Sequence, residues 1–291
     1  MSAQQSRLPW WTKQENSATF RTGIRDLQSR YSGSPHLAPY VRSTAVLFVH
    51  SSNQHEGTMP KGFTKAETYQ MLTEIWEDVD NTDPQTKCHQ TWQADGGRDS
   101  AEAKAQLLQH MRALKYISSH KGQLAEHVVK ETHAILMRGA VSDSDEMLTV
   151  GYRSAAAYAT TGHIYMAPDS IEEYVQDYIK MYNSAASKGT DPFEMAVKLF
   201  YGLIHLVHPF QNGNGRLGRL LVSYVLMSAG TPFPLPFMNG HHKPAKLYRQ
   251  MVSHYAKHSH CDRMQNYILE CCHYRWTDFA VLHQEMHRLG H

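Results

Sequence analysis

The sequence predicts a mainly α-helical protein. Three observations carry that prediction. Apolar residues recur at three- and four-residue spacing in segment after segment, helix-start signals precede several of those segments, and no βαβ alternation occurs. The first 35 or so residues read as loosely organised, with a small apolar spot at Trp10-Trp11 and a break at Ser32-Gly33-Ser34-Pro35. From Tyr40 the pattern turns helical through Val41, Ala45, Leu47, Phe48 and Val49, and it ends in the polar stretch from Ser51 to Gly57. Thr64 and Glu67 form a capping box, in which hydroxyl and carboxylate satisfy each other's backbone N–H groups. The helix they start carries Met71, Leu72, Ile75, Trp76 and Val79 on one face.

Residues 80–99 are polar and read as a loop. Leu107, Leu108, Met111, Leu114 and Ile117 mark the next helix, stopped near Gly122. Another runs from Leu124 through Val128 and Ile135 to Gly139, a C′ glycine by position. Residues 151–168 lose the helical period. Ala155 to Ala159 and Ile164 to Met166 flank Thr160-Thr161-Gly162 as a short hairpin. Asp169 is expected to cap a helix bearing Ile171, Tyr174, Val175, Tyr178 and Tyr182. Asp191-Pro192-Phe193-Glu194 combines a cap, a proline at the first helical position and a first-turn glutamate. The helix that follows is apolar on most sides (Val197, Leu199, Phe200, Leu203, Ile204, Val207) and should be central. It must end at His208, because Pro209 disfavours helical backbone before it. A second apolar helix is expected from about Gly215 to Ala229, with Gly230 as its stop. The prolines of 231–237 then make a turn, and helices resume through Leu247, Met251 and Tyr255 and from Asp262 to about Leu289.

Composition excludes several function classes. With 41% hydrophobic and 19% charged residues in 291, the chain is globular, not disordered. Lys plus Arg number 29 against 27 Asp plus Glu, a net charge of +2, which argues against a nucleic-acid partner. No apolar run approaches the ~18 residues of a membrane span, and Met1 to Phe20 holds no secretory apolar core. The 4 cysteines show no CxxC pattern. The expectation is a reduced, cytoplasmic protein without a membrane partner. Its 20 histidines are the open chemical question.

The segment His208-Pro209-Phe210-Gln211-Asn212-Gly213-Asn214-Gly215-Arg216-Leu217-Gly218-Arg219 joins the two apolar helices and has the character of an anion site. Gly213 and Gly215 let backbone approach a ligand, and the unpaired N–H groups at the next helix's start favour negative charge. Arg216 and Arg219, three residues apart, can fork phosphate oxygens, and His208 at the other lip of the loop can take a proton from an attacking hydroxyl. A base beside a polyphosphate cradle points to transfer of a phosphate-containing group.

The stretch resembles the Fic family motif HPFx(D/E)GNGRxxR, matching it at His208, Pro209, Phe210, Gly213, Asn214, Gly215, Arg216 and Arg219. The likeness covers roughly residues 40 to 240, with Gly151-Tyr152-Arg153 and the 155–166 hairpin similar to the family's flap. It implies a Fic-fold helical bundle and transfer of AMP from ATP to a Ser, Thr or Tyr hydroxyl of a target protein. His208 would be the general base, and Gly213, Asn214 and Gly215 the anion hole. Arg216 would assist the phosphates or the leaving pyrophosphate, and Arg219 would grip the γ-phosphate. The flap would hold the target by strand addition. Tyr248 reads as a nucleotide-side aromatic or as packing on the 247/251/255 stripe.

The acidic position of the motif, a Mg²⁺ ligand in the family, is Asn212 here. An amide oxygen can ligate Mg²⁺ but lacks the charge, so weaker metal use, an altered reaction and little activity are all open, weakened activity first. Ser52-Asn53-Gln54-His55-Glu56-Gly57 is similar to the family's inhibitory motif (S/T)xxxE(G/N). Glu56 would pair with Arg219 and occupy the γ-phosphate site, with Ser52 and Gly57 completing the motif.

These readings divide the chain into an N-terminal arm (1–38), an inhibitory helix segment (39–60), a Fic core (61–240) and C-terminal helices packed on it (241–291). Removal of AMP by Glu56 and His208, or a nucleotide-binding regulatory module with little turnover, are the alternatives. A homodimer is left open. The histidines and cysteines from His241 to His273 match no standard zinc spacing, and Cys271-Cys272 reads as a buried helix face.

Overall fold

The computed structural model describes residues 14–58, 64–78, 98–138, 151–159, 163–237 and 262–289. It is mainly helical, as the periodicity predicts: α1 (Gln14–Tyr31), α2 (Leu37–Glu56), α3 (Lys65–Asp78), α4 (Arg98–Ser119), α5 (Glu126–Met137), α6 (Ile171–Ser187), α7 (Pro192–Phe200), a π-helical turn (Tyr201–Val207), α8 (Asn214–Ser228) and α9 (Asp262–Arg288). None of these helices is long and apolar enough to cross a membrane. Tyr248, the 247/251/255 stripe, Trp10-Trp11, Gly139 and the histidines between 241 and 260 lie outside the described residues.

The chain forms two compact units. One comprises residues 1–40 and 237–291. Here the expectation of a loose N-terminus is corrected, because residues 14–31 form α1, packed along α9. Ile24, Tyr31 and Tyr40 are buried with Tyr267, Cys271, Cys272, Trp276 and Phe279 of α9. The one proton of the Tyr40 hydroxyl faces two acceptors, the Arg275 carbonyl and Asp278 Oδ2, each 2.8 Å from its oxygen. The polar sequence of α1 hides its apolar side: Ile24 and Tyr31, seven residues apart, need α9 to bury them.

The second unit, residues 41–236, holds the rest of α2 through α8. The capping box at α3 is formed, with Glu67 N–H on Thr64 Oγ1 at 3.2 Å and Thr64 N–H on Glu67 Oε2 at 2.7 Å. Asp191 caps α7 through the Glu194 N–H at 2.9 Å. α7 packs along α8, and α4 lies against α3, α5 and α8. The expected cap at Asp169 is not made: Pro168–Ser170 wind a 3₁₀ turn first, and α6 begins at Ile171. The hairpin expected over 155–166 reduces, in the described residues, to one antiparallel bridge between Tyr158 and Ile164. Beside it Ala159 N–H donates to His163 O at 2.8 Å and Tyr165 N–H to Ala157 O at 3.1 Å, and the Arg153 guanidinium takes the Ala155 carbonyl that a longer ladder would use.

Candidate functional site

α7 does not run as an α-helix to His208. The seven residues after it, Tyr201–Val207, widen into a π turn, and His208 adopts a left-handed backbone with φ 51°. The chemistry of Pro209 accounts for this. The His208 N–H bonds the Leu203 carbonyl at 2.9 Å, five residues back. The Ile204 carbonyl would next need the N–H of residue 209, which proline lacks. The imidazole fills the gap: His208 Nδ1 lies 2.9 Å from the Ile204 oxygen. A carbonyl only accepts, so Nδ1 carries the proton and Nε2 carries the lone pair of a base. Burial pulls the His208 pKa below the ordinary imidazole value, Arg153 and His163 add to the depression, and the bond to Ile204 and the charge of Glu56 oppose it.

The loop beyond is tied at both ends. Asn214 accepts from the Phe210 N–H at 3.0 Å and donates to the Phe210 carbonyl at 2.7 Å, so this buried amide braces the loop on itself. Phe210 is buried beneath His133, stacked at 3.6 Å and 8°, and His133 Nε2 also donates to the Asn212 carbonyl at 2.8 Å. Gly213 turns the chain with φ 78° into α8, where a side chain would collide with Met137. From the flap segment, Arg153 donates to His208 O at 2.7 Å and Val207 O at 3.0 Å, and its own N–H meets Pro209 O at 2.9 Å.

The first turn of α8 supplies the cations. Arg216 is held by Gln106 at 2.9 Å and by Met137 Sδ at 3.3 Å, while its buried Nε has no hydrogen-bond partner among the described residues. Burial lowers its pKa to about 10, against the favourable charge of Glu56. Arg219 is buried, with Nε on Ser52 Oγ at 2.7 Å and Nη2 on Ser52 O at 3.1 Å and Glu56 Oε1 at 2.5 Å. A Cβ placed on Gly215 would collide with Glu56 Oε1, so the carboxylate covers the helix start where an anion would approach. Burial raises the Glu56 pKa, but the Arg219 charge and hydrogen bond outweigh it and hold the group below 4.5.

The tip of α2 is fastened by its own polar cluster. Asn53 donates to Val49 O at 2.8 Å and to His110 Nδ1 at 2.9 Å and accepts from Thr58 at 3.0 Å. Gly57 ends the helix with φ 70°. Among the described residues, no group of three His, Cys, Asp or Glu side chains is placed to hold a metal. The exposed Asn212 offers one neutral amide oxygen, which suits Mg²⁺ only where phosphate oxygens supply most of the ligands.

The structure thus brings Ser52, Glu56, His208, Gly213, Asn214, Gly215, Arg216 and Arg219 to one place, while Tyr248 lies outside the described residues. The sequence reading did not assign roles to Gln106, His110, His133 and Tyr165. Gln106 and His110 share α4, one helical turn apart, while His133 is on α5 and Tyr165 on the segment before α6, and they form no motif with residues 208–219 in the chain.

Comparison with known proteins bears on the family and the fold. The Fic/DOC family profile matches residues 123–226. A Fido domain-containing protein of Dictyostelium discoideum is 31% identical over 123 residues, 42% of this chain and 85% of that protein. The protein adenylyltransferase Fic of Nematostella vectensis is 30% identical over 120 residues, 41% of this chain and 28% of that protein. The chain therefore spans only about a quarter of that adenylyltransferase's length. Among solved structures, Fic-1 of Caenorhabditis elegans superposes with a TM-score of 0.69 at 21% identity, covering 92% of this chain and 74% of that one. A Fic family protein of Desulfovibrio desulfuricans gives 0.68 at 16%, covering 94% and 77%. Motif, profile, relatives and fold converge, and this chain belongs to the Fic/DOC family.

Proposed function

We propose that this chain is an autoinhibited protein adenylyltransferase. It moves AMP from ATP to a Ser, Thr or Tyr hydroxyl of a target protein. The observation that carries this reading is the cover of Glu56 over the start of α8, bonded to Arg219 at 2.5 Å beside a base whose free nitrogen is Nε2. With Glu56 withdrawn, the α8 N–H groups, Arg216 and Arg219 would receive the triphosphate. His208 Nε2 takes the hydroxyl proton as that oxygen attacks the α-phosphorus. The new P–O bond forms in line with the breaking bond to the β-phosphate, and pyrophosphate leaves. Asn212 would contribute an amide oxygen to Mg²⁺ held mainly by the phosphates, and the ion would neutralise their charge. The segment 39–60 acts as the inhibitory segment of the Fic core at 61–240.

Incubation with ATP labelled at the α-phosphate tests the reading. Glu56→Gly is expected to raise labelling of the chain or its target at least about tenfold, the loss of one strong ionic competitor. His208→Ala in that background should abolish it. Equal labelling of wild type and Glu56→Gly would remove the inhibitory role, and retained labelling without His208 would remove the base.

The neutral Asn212 favours one second reading, a nucleotide-binding regulatory module with little turnover. ATP binding by Glu56→Gly without transfer, and transfer appearing with Asn212→Asp, would select it.

A further inference from the structure

We infer that Tyr165 is a positioning residue for the base, its phenol ring lying flat on the His208 imidazole and fixing the plane in which Nε2 accepts the target's proton. The ring centroids are 3.9 Å apart and the planes differ by 15°. One hydrogen bond, from Nδ1 to Ile204, still lets an imidazole rock about that bond. A flat aromatic face removes this freedom, and it favours the imidazolium once the proton has moved, because a ring quadrupole attracts a cation.

The phenol is itself held firmly. The Tyr165 N–H donates to Ala157 O at 3.1 Å, and the next N–H, of Met166, donates to Leu206 O at 3.1 Å. Arg153 bonds the Met166 carbonyl on one side and the Val207 and His208 carbonyls on the other. Phenol and imidazole therefore ride on segments clipped to each other. Two further rings close the box: His163 stands edge-on to Tyr165 at 5.3 Å and 83°, and His205 at 6.4 Å and 88°. His163 and His205 stack on each other at 5.2 Å and 5°.

The charges acting on His208 are few. Arg153 from the flap segment and His163 beside it disfavour the imidazolium, Glu56 from α2 favours it, and His205 lies on the same turn of chain. Burial holds the His205 pKa down to about 4, so that ring is neutral at physiological pH and adds no competing cation. Burial raises the Tyr165 pKa, so the phenol stays uncharged. The flap in this arrangement orients the base, a role additional to gripping a target. The inference rests on His208 being the base of the proposed reaction, but the stack can be measured without any turnover.

The test is a titration of His208 by nitrogen-15 NMR in the full chain carrying labelled histidine, its signal identified by its loss in His208→Ala. Tyr165→Leu keeps an apolar cover and removes the aromatic face. It is expected to lower the His208 apparent pKa by about 0.5 unit and to mix its two neutral tautomers, whereas Tyr165→Phe behaves as wild type. In the Glu56→Gly background, Tyr165→Leu should lower kcat about fivefold with KM for ATP unchanged, and Tyr165→Phe should restore it. Tyr165→Met gives the same comparison if the leucine variant does not fold. An unshifted titration with a single tautomer in a folded Leu or Met variant overturns the inference. Failure of the adenylyltransferase reading is seen separately, as absent transfer in Glu56→Gly or as transfer surviving His208→Ala.

Discussion

From Leu203 to Arg219 the chain is fastened at nearly every step. The π turn bonds backbone to backbone, the imidazole of His208 closes on Ile204, Asn214 grips Phe210 twice, and Arg153 bonds the backbone at Val207 and His208. α2 meets the same helix through Arg219, which bonds the buried Ser52 twice and Glu56 at the helix end. Glu56 reaches it with a carboxylate whose side chain is 35% exposed, against 2% for its partner Arg219. Under the proposed function, the difference separates two tasks. A transfer site must be preorganised, because a misplaced base or donor loses the geometry of attack. A stopper must yield to a competing anion, so its contact is strong but borders water, where displacement costs less than from the interior.

The sharpest way to break this comparison is to loosen the fastened side. Asn214→Ala removes both bonds to Phe210 in a buried setting, and we expect it to cost about 2–4 kcal/mol, lowering the thermal midpoint by about 5–10 °C. In the Glu56→Gly background it should also cut transfer more than about tenfold, because the loop that aligns His208 with α8 loses its brace. Thermal unfolding and labelling measured on the same preparations decide the matter. A midpoint shift with full transfer would make Asn214 a stability residue only.

Acid acts on the two regions in a predictable order. His205 and His208, both on the fastened side, are held below the ordinary imidazole value by burial. The unfolded chain therefore binds more protons than the folded one below about pH 6.5. Stability that is full above that pH is lost as the pH falls, for His205 down to about 4. Glu56 behaves differently: its pKa is depressed below 4.5, so its ion pair persists until the pH falls through that lower value. The thermal midpoint should thus drop between pH 6.5 and 5 while wild-type labelling stays low. A rise of labelling in that window would mean that the stopper releases before the fastened side weakens.

How far this was legible in the sequence follows from the range of the interactions. The helices and the caps at Thr64 and Asp191 are local, set by periodicity and by side chains within three residues of the bonds they make. The motif residues declared the anion site because glycines and arginines were adjacent in the chain. α1 was missed because its apolar side is sparse and its stability comes from α9, more than 200 residues away. The π turn was missed because it depends on what Pro209 denies to Ile204 and on how His208 answers. The roles of His133, Gln106 and Tyr165 arise only where α5, α4 and the flap segment converge. The hairpin is short in the described residues because Arg153, read only as part of the flap, takes the Ala155 carbonyl that the ladder would use next.

The smallest effect that still probes the comparison is at Gly57. This residue ends α2 with φ 70°, and nothing lies within 4 Å of where a Cβ would be. Gly57→Ala therefore introduces no clash, and its cost is the left-handed backbone alone, about 1 kcal/mol. The last turn of α2 carries Glu56, so this strain should be relieved by fraying that withdraws the carboxylate part of the time. We expect wild-type-like stability, with a midpoint loss of about 2–4 °C, and a rise in basal labelling of roughly twofold to fivefold, well short of Glu56→Gly. A change of stability with no change of labelling would show that Glu56 is held from the Arg219 side alone. The Asn53–His110–Thr58 cluster would then fix the helix tip independently of its terminal glycine.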